Sequence, residues 1–152
     1  MSRHATGSQR EPTDHRRETA ITPEYKELVA EAEAVVEAYS PEEAVELTDE
    51  DGVHFVDVRE RYELAAGMVR GGIHAPIGRL ETHLDPNSPH YKDEFDDAAG
   101  LVFYCASGSR SALAARRAQQ LGLERVAHLE GGFSAWVVAG GPTQVFDAPE
   151  RT

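Results

Sequence analysis

Cysteine occurs once in this chain, at Cys105, tryptophan once, at Trp136, and lysine only at Lys26 and Lys92. A single cysteine excludes an internal disulfide, and a free thiol fits a reducing cytoplasm, the compartment expected here. No apolar run is long enough to span a membrane. The N-terminus has no apolar stretch of the secretory kind, and Glu11, Asp14 and Glu18 are out of place in an organellar transit peptide. Neither Gly-x-Gly-x-x-Gly nor Gly-x-x-x-x-Gly-Lys occurs, so nothing points to a bound nucleotide. The histidines at 4, 15, 54, 74, 83, 90 and 128 form neither His-x-His nor His-Glu-x-x-His, and neither a metal nor another cofactor is expected. Basic residues are the scarcer charge: 15 against 27 acidic ones, for a net charge of −12. That balance disfavours nucleic acid and anionic membrane as partners. Apolar residues make up 40%, below the usual share for a compact domain, so part of the 152 residues is expected to stay unpacked.

What is present is concentrated around Cys105. Leu101-Val102-Phe103-Tyr104 is a short apolar run with the composition of a buried strand. Leu113, Ala114, Arg117, Ala118 and Leu121 then recur at helical spacing. Between strand and helix lie Cys105-Ala106-Ser107-Gly108-Ser109-Arg110-Ser111. A strand that turns into a helix over small residues presents free backbone N–H groups, and the helix dipole adds to their preference for an anion. A sulfur at the edge of that cradle meets surroundings that favour a thiolate. Arg110 adds a charge that does not titrate away. One nucleophilic sulfur, several donors and one arginine suit attack on an anionic sulfur- or phosphorus-centred substrate.

Four residues separate Cys105 from Arg110, whereas cysteine phosphatases place five between the two. The shorter loop resembles that of the rhodanese family, the thiosulfate sulfurtransferases. Two other blocks carry the resemblance. Upstream, Val56-Asp57-Val58-Arg59-Glu60 is similar to the family's strand-end Asp-x-Arg signature, followed by Tyr62-Glu63 and Gly71-Gly72-Ile73-His74-Ala75-Pro76. Downstream, His128-Leu129-Glu130-Gly131-Gly132-Phe133-Ser134-Ala135-Trp136 is similar to its last strand and Glu-Gly-Gly-x-x-x-Trp turn, and Gly141-Pro142 to its usual ending. One departure is Gly67-Met68-Val69, where the family commonly has Gly-His-Ile; Met68 neither ionises nor donates.

The resemblance implies an α/β rhodanese-like domain with a mainly parallel sheet flanked by helices. It implies a catalytic Cys105 persulfide with Arg110 beside it. Ala106, Ser107, Gly108, Ser109 and Ser111 would bind substrate, and Asp57, Arg59 and Glu130 would support the loop, with Glu130 the carboxylate offsetting Arg110. Arg59 and Arg61 would add to a locally positive field. The partners implied are a small anionic sulfur donor and a thiol or cyanide acceptor. A non-catalytic module that binds a partner or senses redox state is the alternative, and a phosphatase is disfavoured by loop length.

Along the chain, residues 1–20 read as a disordered polar tail. Residues 21–40 read as an amphipathic helix, opened by Thr22 as cap and Pro23, with Tyr25, Leu28, Val29, Ala32, Val35, Val36 and Tyr39 in its stripe. That stripe packs on its own domain or forms a homodimer face. Residues 41–145 form the rhodanese-like domain, with a capped helix starting at Ser40-Pro41. His90, Tyr91, Lys92 and Phe95 are expected to border the site, and residues 146–152 read as a loose tail.

Overall fold

The computed structural model describes residues 22–147. The first helix, α1 (Tyr25–Val35), is followed by strand β1 (Glu37–Tyr39), helix α2 (Pro41–Val45) and strand β2 (Val53–Asp57). A 3-10 turn over Arg61–Ala66 leads to β3 (Met68–Val69) and β4 (Ile73–His74). Helix α3 (Leu80–Leu84) and a 3-10 turn (Asp93–Asp97) precede β5 (Gly100–Tyr104). Then come α4 (Ser109–Gln120), β6 (Val126–Leu129), α5 (Gly132–Val138) and β7 (Thr143–Gln144). No described helix is long and apolar enough to cross a membrane.

Five strands form one sheet in the order β1-β6-β5-β2-β4, every neighbouring pair parallel. Parallel neighbours need helical crossovers, which cover both faces and bury the central strands. β5 shows the alternation this imposes. Leu101 and Phe103 point into one apolar cluster with Val56, Leu80, Ala114, Ala115 and Ala118. Val102 and Tyr104 point into the other with Phe55, Val69, Leu129, Phe133 and Trp136. β3 and β7 pair antiparallel apart from the main sheet, and Met68, at the departure from the family pattern, is buried there as packing.

Three expectations change. The helical stripe ends at Val35, and Glu37–Tyr39 instead form the edge strand beside β6, with Ala38 opposite His128. Val36 and Tyr39 fit a helix by spacing, but the open edge of β6 offers backbone partners that a longer helix would leave unpaired. The helix is capped by Glu24, not Thr22: the Glu24 N–H donates to Glu27 Oε1 at 2.7 Å. Beyond Gln144 the chain still packs, with the Phe146 ring edge-on to His74, centroids 5.6 Å apart. Residues 1–21 and 148–152 lie outside the described residues, and with them the tail read over 1–20 and all but the first two residues of the one read over 146–152. The second cap forms as its sequence suggests, with Glu43 N–H donating to Ser40 Oγ at 3.1 Å and Ser40 N–H to Glu43 Oε1 at 2.9 Å.

Candidate active site

Cys105 follows β5 directly, at the C-terminal edge of the sheet where open parallel sheets keep their ligand crevices. Its side chain is fully buried. Two backbone donors converge on its sulfur: Gly108 N–H at 3.1 Å and Ser111 N–H at 3.4 Å. Ser111 lies in the first turn of α4, so its N–H is one of those a helix leaves without an internal partner. The α4 dipole adds a partial positive charge at the same spot. The Ser111 hydroxyl lies 3.7 Å from the sulfur.

The loop turns its N–H groups inward because its carbonyls are taken from outside. Phe133 N–H donates to Cys105 O at 2.8 Å, and Ser134 N–H to Ala106 O at 3.2 Å, both from the start of α5. Gly132 makes that approach possible: a Cβ there would sit 2.6 Å from the Ala106 carbonyl and the Cys105 oxygen, at φ +63°. Gly108 opens α4 at φ +118°, a conformation suited to glycine.

The predicted binding residues thus divide. Gly108 and Ser111 reach the sulfur. Ala106 gives its carbonyl to α5, Ser107 is exposed, and Ser109 Oγ accepts a hydrogen bond from the Tyr25 hydroxyl at 3.0 Å. Tyr25 brings α1 to the rim of the loop, a contact that spacing alone did not reveal.

Arg110 is clamped by Glu63, with Nη1 to Oε1 at 2.8 Å and Nη2 to Oε2 at 2.9 Å. Their bidentate hydrogen bonds hold the Glu63 carboxyl down at about 2 and push the Arg110 guanidinium up. The expectation that Glu130 offsets Arg110 is therefore corrected: Glu130 is exposed, and its N–H donates to Tyr39 O at 2.9 Å. Glu63 stood in the sequence beside Tyr62, but its partner lies 47 residues away.

Asp57 and Arg59 form a buried pair beneath this clamp. Arg59 Nη2 and Nε donate to Asp57 at 2.7 Å and 3.0 Å, and Nη2 also donates to Gly67 O at 2.7 Å. Burial opposes the Arg59 charge, and Asp57 overcomes that opposition. The guanidinium lies 4.6 Å from the Phe133 ring centre. This pair fixes the segment that carries Glu63, but its charge is matched by Asp57, so it adds no net positive field to the loop. Arg61 lies on the exposed side, its guanidinium 6.0 Å from the Phe146 ring. Tyr91 and Phe95 do not border the site. They line a groove with Leu84, Leu101 and Val126, at the start of β5 and β6, the opposite end from Cys105. Phe95 is drawn there because it completes the apolar cluster under α4.

The rhodanese-like domain model matches residues 40–139, and the chain belongs to that family. A sulfurtransferase from Allochromatium vinosum is 35% identical over 96 residues, covering 63% of this chain and 82% of that protein. The human thiosulfate:glutathione sulfurtransferase is 31% identical over 88 residues, covering 53% and 76%. An uncharacterized Synechocystis protein is 33% identical over 104 residues; the match covers 68% of this chain and about half, 54%, of that protein. Among solved structures, a Rhodopseudomonas palustris protein of unknown function, described as a possible tyrosine phosphatase, superposes with a TM-score of 0.78 at 41% identity, covering 83% of this chain and 98% of that one.

Proposed function

We propose that the chain is a sulfurtransferase that moves sulfane sulfur from thiosulfate, or a similar anionic donor, to a thiol or cyanide in a reducing cytoplasm. The carrying observation is the Cys105 sulfur under two backbone N–H groups at a helix start, in a loop with four residues between cysteine and arginine. The Cys105 thiolate attacks the outer sulfur of thiosulfate. The sulfur–sulfur bond breaks and its electron pair leaves with sulfite, so one negative charge stays on the new persulfide. The acceptor then attacks the terminal sulfur and the Cys105 thiolate departs, a two-step covalent cycle. The Gly108 and Ser111 amides hold the charge that remains on the enzyme. The names of the Allochromatium and human relatives support this class of reaction.

Treatment with thiosulfate should add the mass of a single sulfur atom to the intact protein, and Cys105→Ser should remove the gain. No gain with thiosulfate or a second sulfane donor would refute sulfur transfer. The description of the Rhodopseudomonas protein raises phosphoryl transfer as a second reading. The short loop and the clamped Arg110 leave no free guanidinium to wrap a phosphate, so no turnover of an aryl phosphate is expected.

A further inference from the structure

His128 is a polar residue in the core that sulfur transfer, as described, does not use. It is 2% exposed, in the middle of β6, between Ala38 of β1 and Phe103 of β5. Its Nδ1 lies 3.1 Å from Ser111 Oγ. Ser111 is itself fully buried, and its hydroxyl lies 3.0 Å from Gly108 O and 3.7 Å from the Cys105 sulfur.

The hydroxyl of Ser111 has one proton and three neighbours that could take it. If it donates to Gly108 O, it can only accept from the other two. The imidazole must then carry its proton on Nδ1, and the Cys105 thiol can donate to the same oxygen. In that state Gly108 O, the Ser111 hydroxyl, His128 Nδ1 and the Cys105 thiol are all paired with one another. When Cys105 becomes a thiolate, the hydroxyl can turn from Gly108 O to the sulfur, while the imidazole N–H still donates to its oxygen. A hydroxyl that accepts a hydrogen bond is a better donor, because such chains polarise in a low-dielectric interior. An imidazole protonated only on Nε2 would instead compete with the sulfur for the one hydroxyl proton.

We infer that His128 is a positioning residue: as the Nδ1–H tautomer it orients the Ser111 hydroxyl toward the Cys105 sulfur and so stabilises the thiolate. This inference rests on the sulfurtransferase reading for its effect on turnover, but not for its effect on the thiol. Burial keeps the imidazole neutral, acting against the pull of Glu33 on α1 and Glu130 beyond the end of β6. The flanking positions Ala38 and Phe103 carry no charge, and Arg110, held by Glu63, lies close enough to Cys105 for their charges to interact.

Because Cys105 is the only cysteine, its thiolate can be titrated in the whole protein by ultraviolet absorbance against Cys105→Ser, with no reagent having to reach the buried sulfur. His128→Leu should raise the thiolate midpoint by roughly half to one pH unit, a three- to tenfold loss of thiolate below the midpoint. His128→Asn, whose amide N–H stands near the place of Nδ1–H, should recover most of it. Ser111→Ala should cost at least as much, and adding His128→Leu to Ser111→Ala should cost nothing more, since His128 acts through that hydroxyl. Nitrogen-15 NMR of the wild-type imidazole reads the tautomer directly, whatever the fate of the variants, and should show Nδ1 protonated. An unprotonated Nδ1, an unmoved midpoint in a folded His128→Leu, or additive effects in the double variant would each overturn the inference. Sulfur loading by mass, measured separately, tests the transfer reading: a shifted midpoint without loading would keep the role of His128 and reject the reaction.

Discussion

Arg110 enters the site already neutralised, and that changes what a single residue can be asked to do there. A bidentate clamp of 2.8 and 2.9 Å to a carboxylate leaves little of the guanidinium free to pull in a donor. Its first effect is to lock the start of α4 to the segment after β2. The clamp is only partly exposed, at 30% for the Arg110 side chain and 19% for Glu63, so its worth lies between a surface pair and a buried one, about 1–3 kcal/mol. Glu63 titrates at about 2 in the fold against an ordinary 4.5. A depressed carboxyl contributes stability that is complete above its unfolded value and fades as pH falls through the folded one. Glu63→Gln should therefore lower the melting temperature at neutral pH, and the gap to wild type should close as pH drops from 4.5 toward 2. Melts across that range decide it; a gap that persists at the acid end would mean the pair acts by shape and not by charge. The sequence marked Cys105 and Arg110 because one short loop carries both. Glu63 and His128 stand within the family-like blocks but carry no legible role there, because their partners lie 47 and 17 residues away and only the fold makes such pairs neighbours.

At the scale of elements, the loop is held from behind by the first turn of α5. Two backbone hydrogen bonds cross there, and Gly132 is the point of closest approach. Gly132→Ala would place a methyl 2.6 Å from the loop backbone, where no flexible side chain can give way. The loop or the helix must move, at a cost of about 2–4 kcal/mol. Sulfur loading should fall with it, because the N–H groups lose their aim. Gly78→Ala, with nothing within 4 Å of its added methyl, is the control and should shift stability by less than about 0.5 kcal/mol. Chemical denaturation of both variants, with mass analysis after thiosulfate, is the check; a Gly132→Ala protein as stable and as readily loaded as wild type would show that the brace is dispensable. The elements themselves were largely readable, since strands such as Leu101–Tyr104 are compact apolar runs ended by turn residues. The errors fell where local pattern competes with tertiary pairing. Tyr39 satisfies a helical stripe and an edge strand equally well, and the edge of β6 decides between them. Phe95 follows a polar loop in sequence, yet the apolar cluster under α4 claims it.

The whole molecule sets a field that its site must work against. The chain carries −12 overall, and Arg110 and Arg59 are each matched by a carboxylate, Arg110 by Glu63 and Arg59 by Asp57. The attraction that the loop itself offers a doubly charged donor is short-ranged: two amide N–H groups on the sulfur and the dipole of α4. Short-range donors act once the anion has arrived, whereas net charge acts on the approach. Salt screens the second and hardly touches the first, with a Debye length of about 30 Å at 0.01 M and about 8 Å at 0.15 M. The second-order rate constant for loading Cys105 from thiosulfate should therefore rise severalfold between those two salt concentrations. A thiol acceptor, which attacks as a singly charged thiolate, should show a smaller rise in the second half-reaction. Stopped loading followed by mass analysis, at constant pH and with an inert salt, measures the first step alone. A rate that falls with added salt would mean that the mouth of the loop is locally positive despite the whole, and that Arg110 or Arg61 steers the donor in.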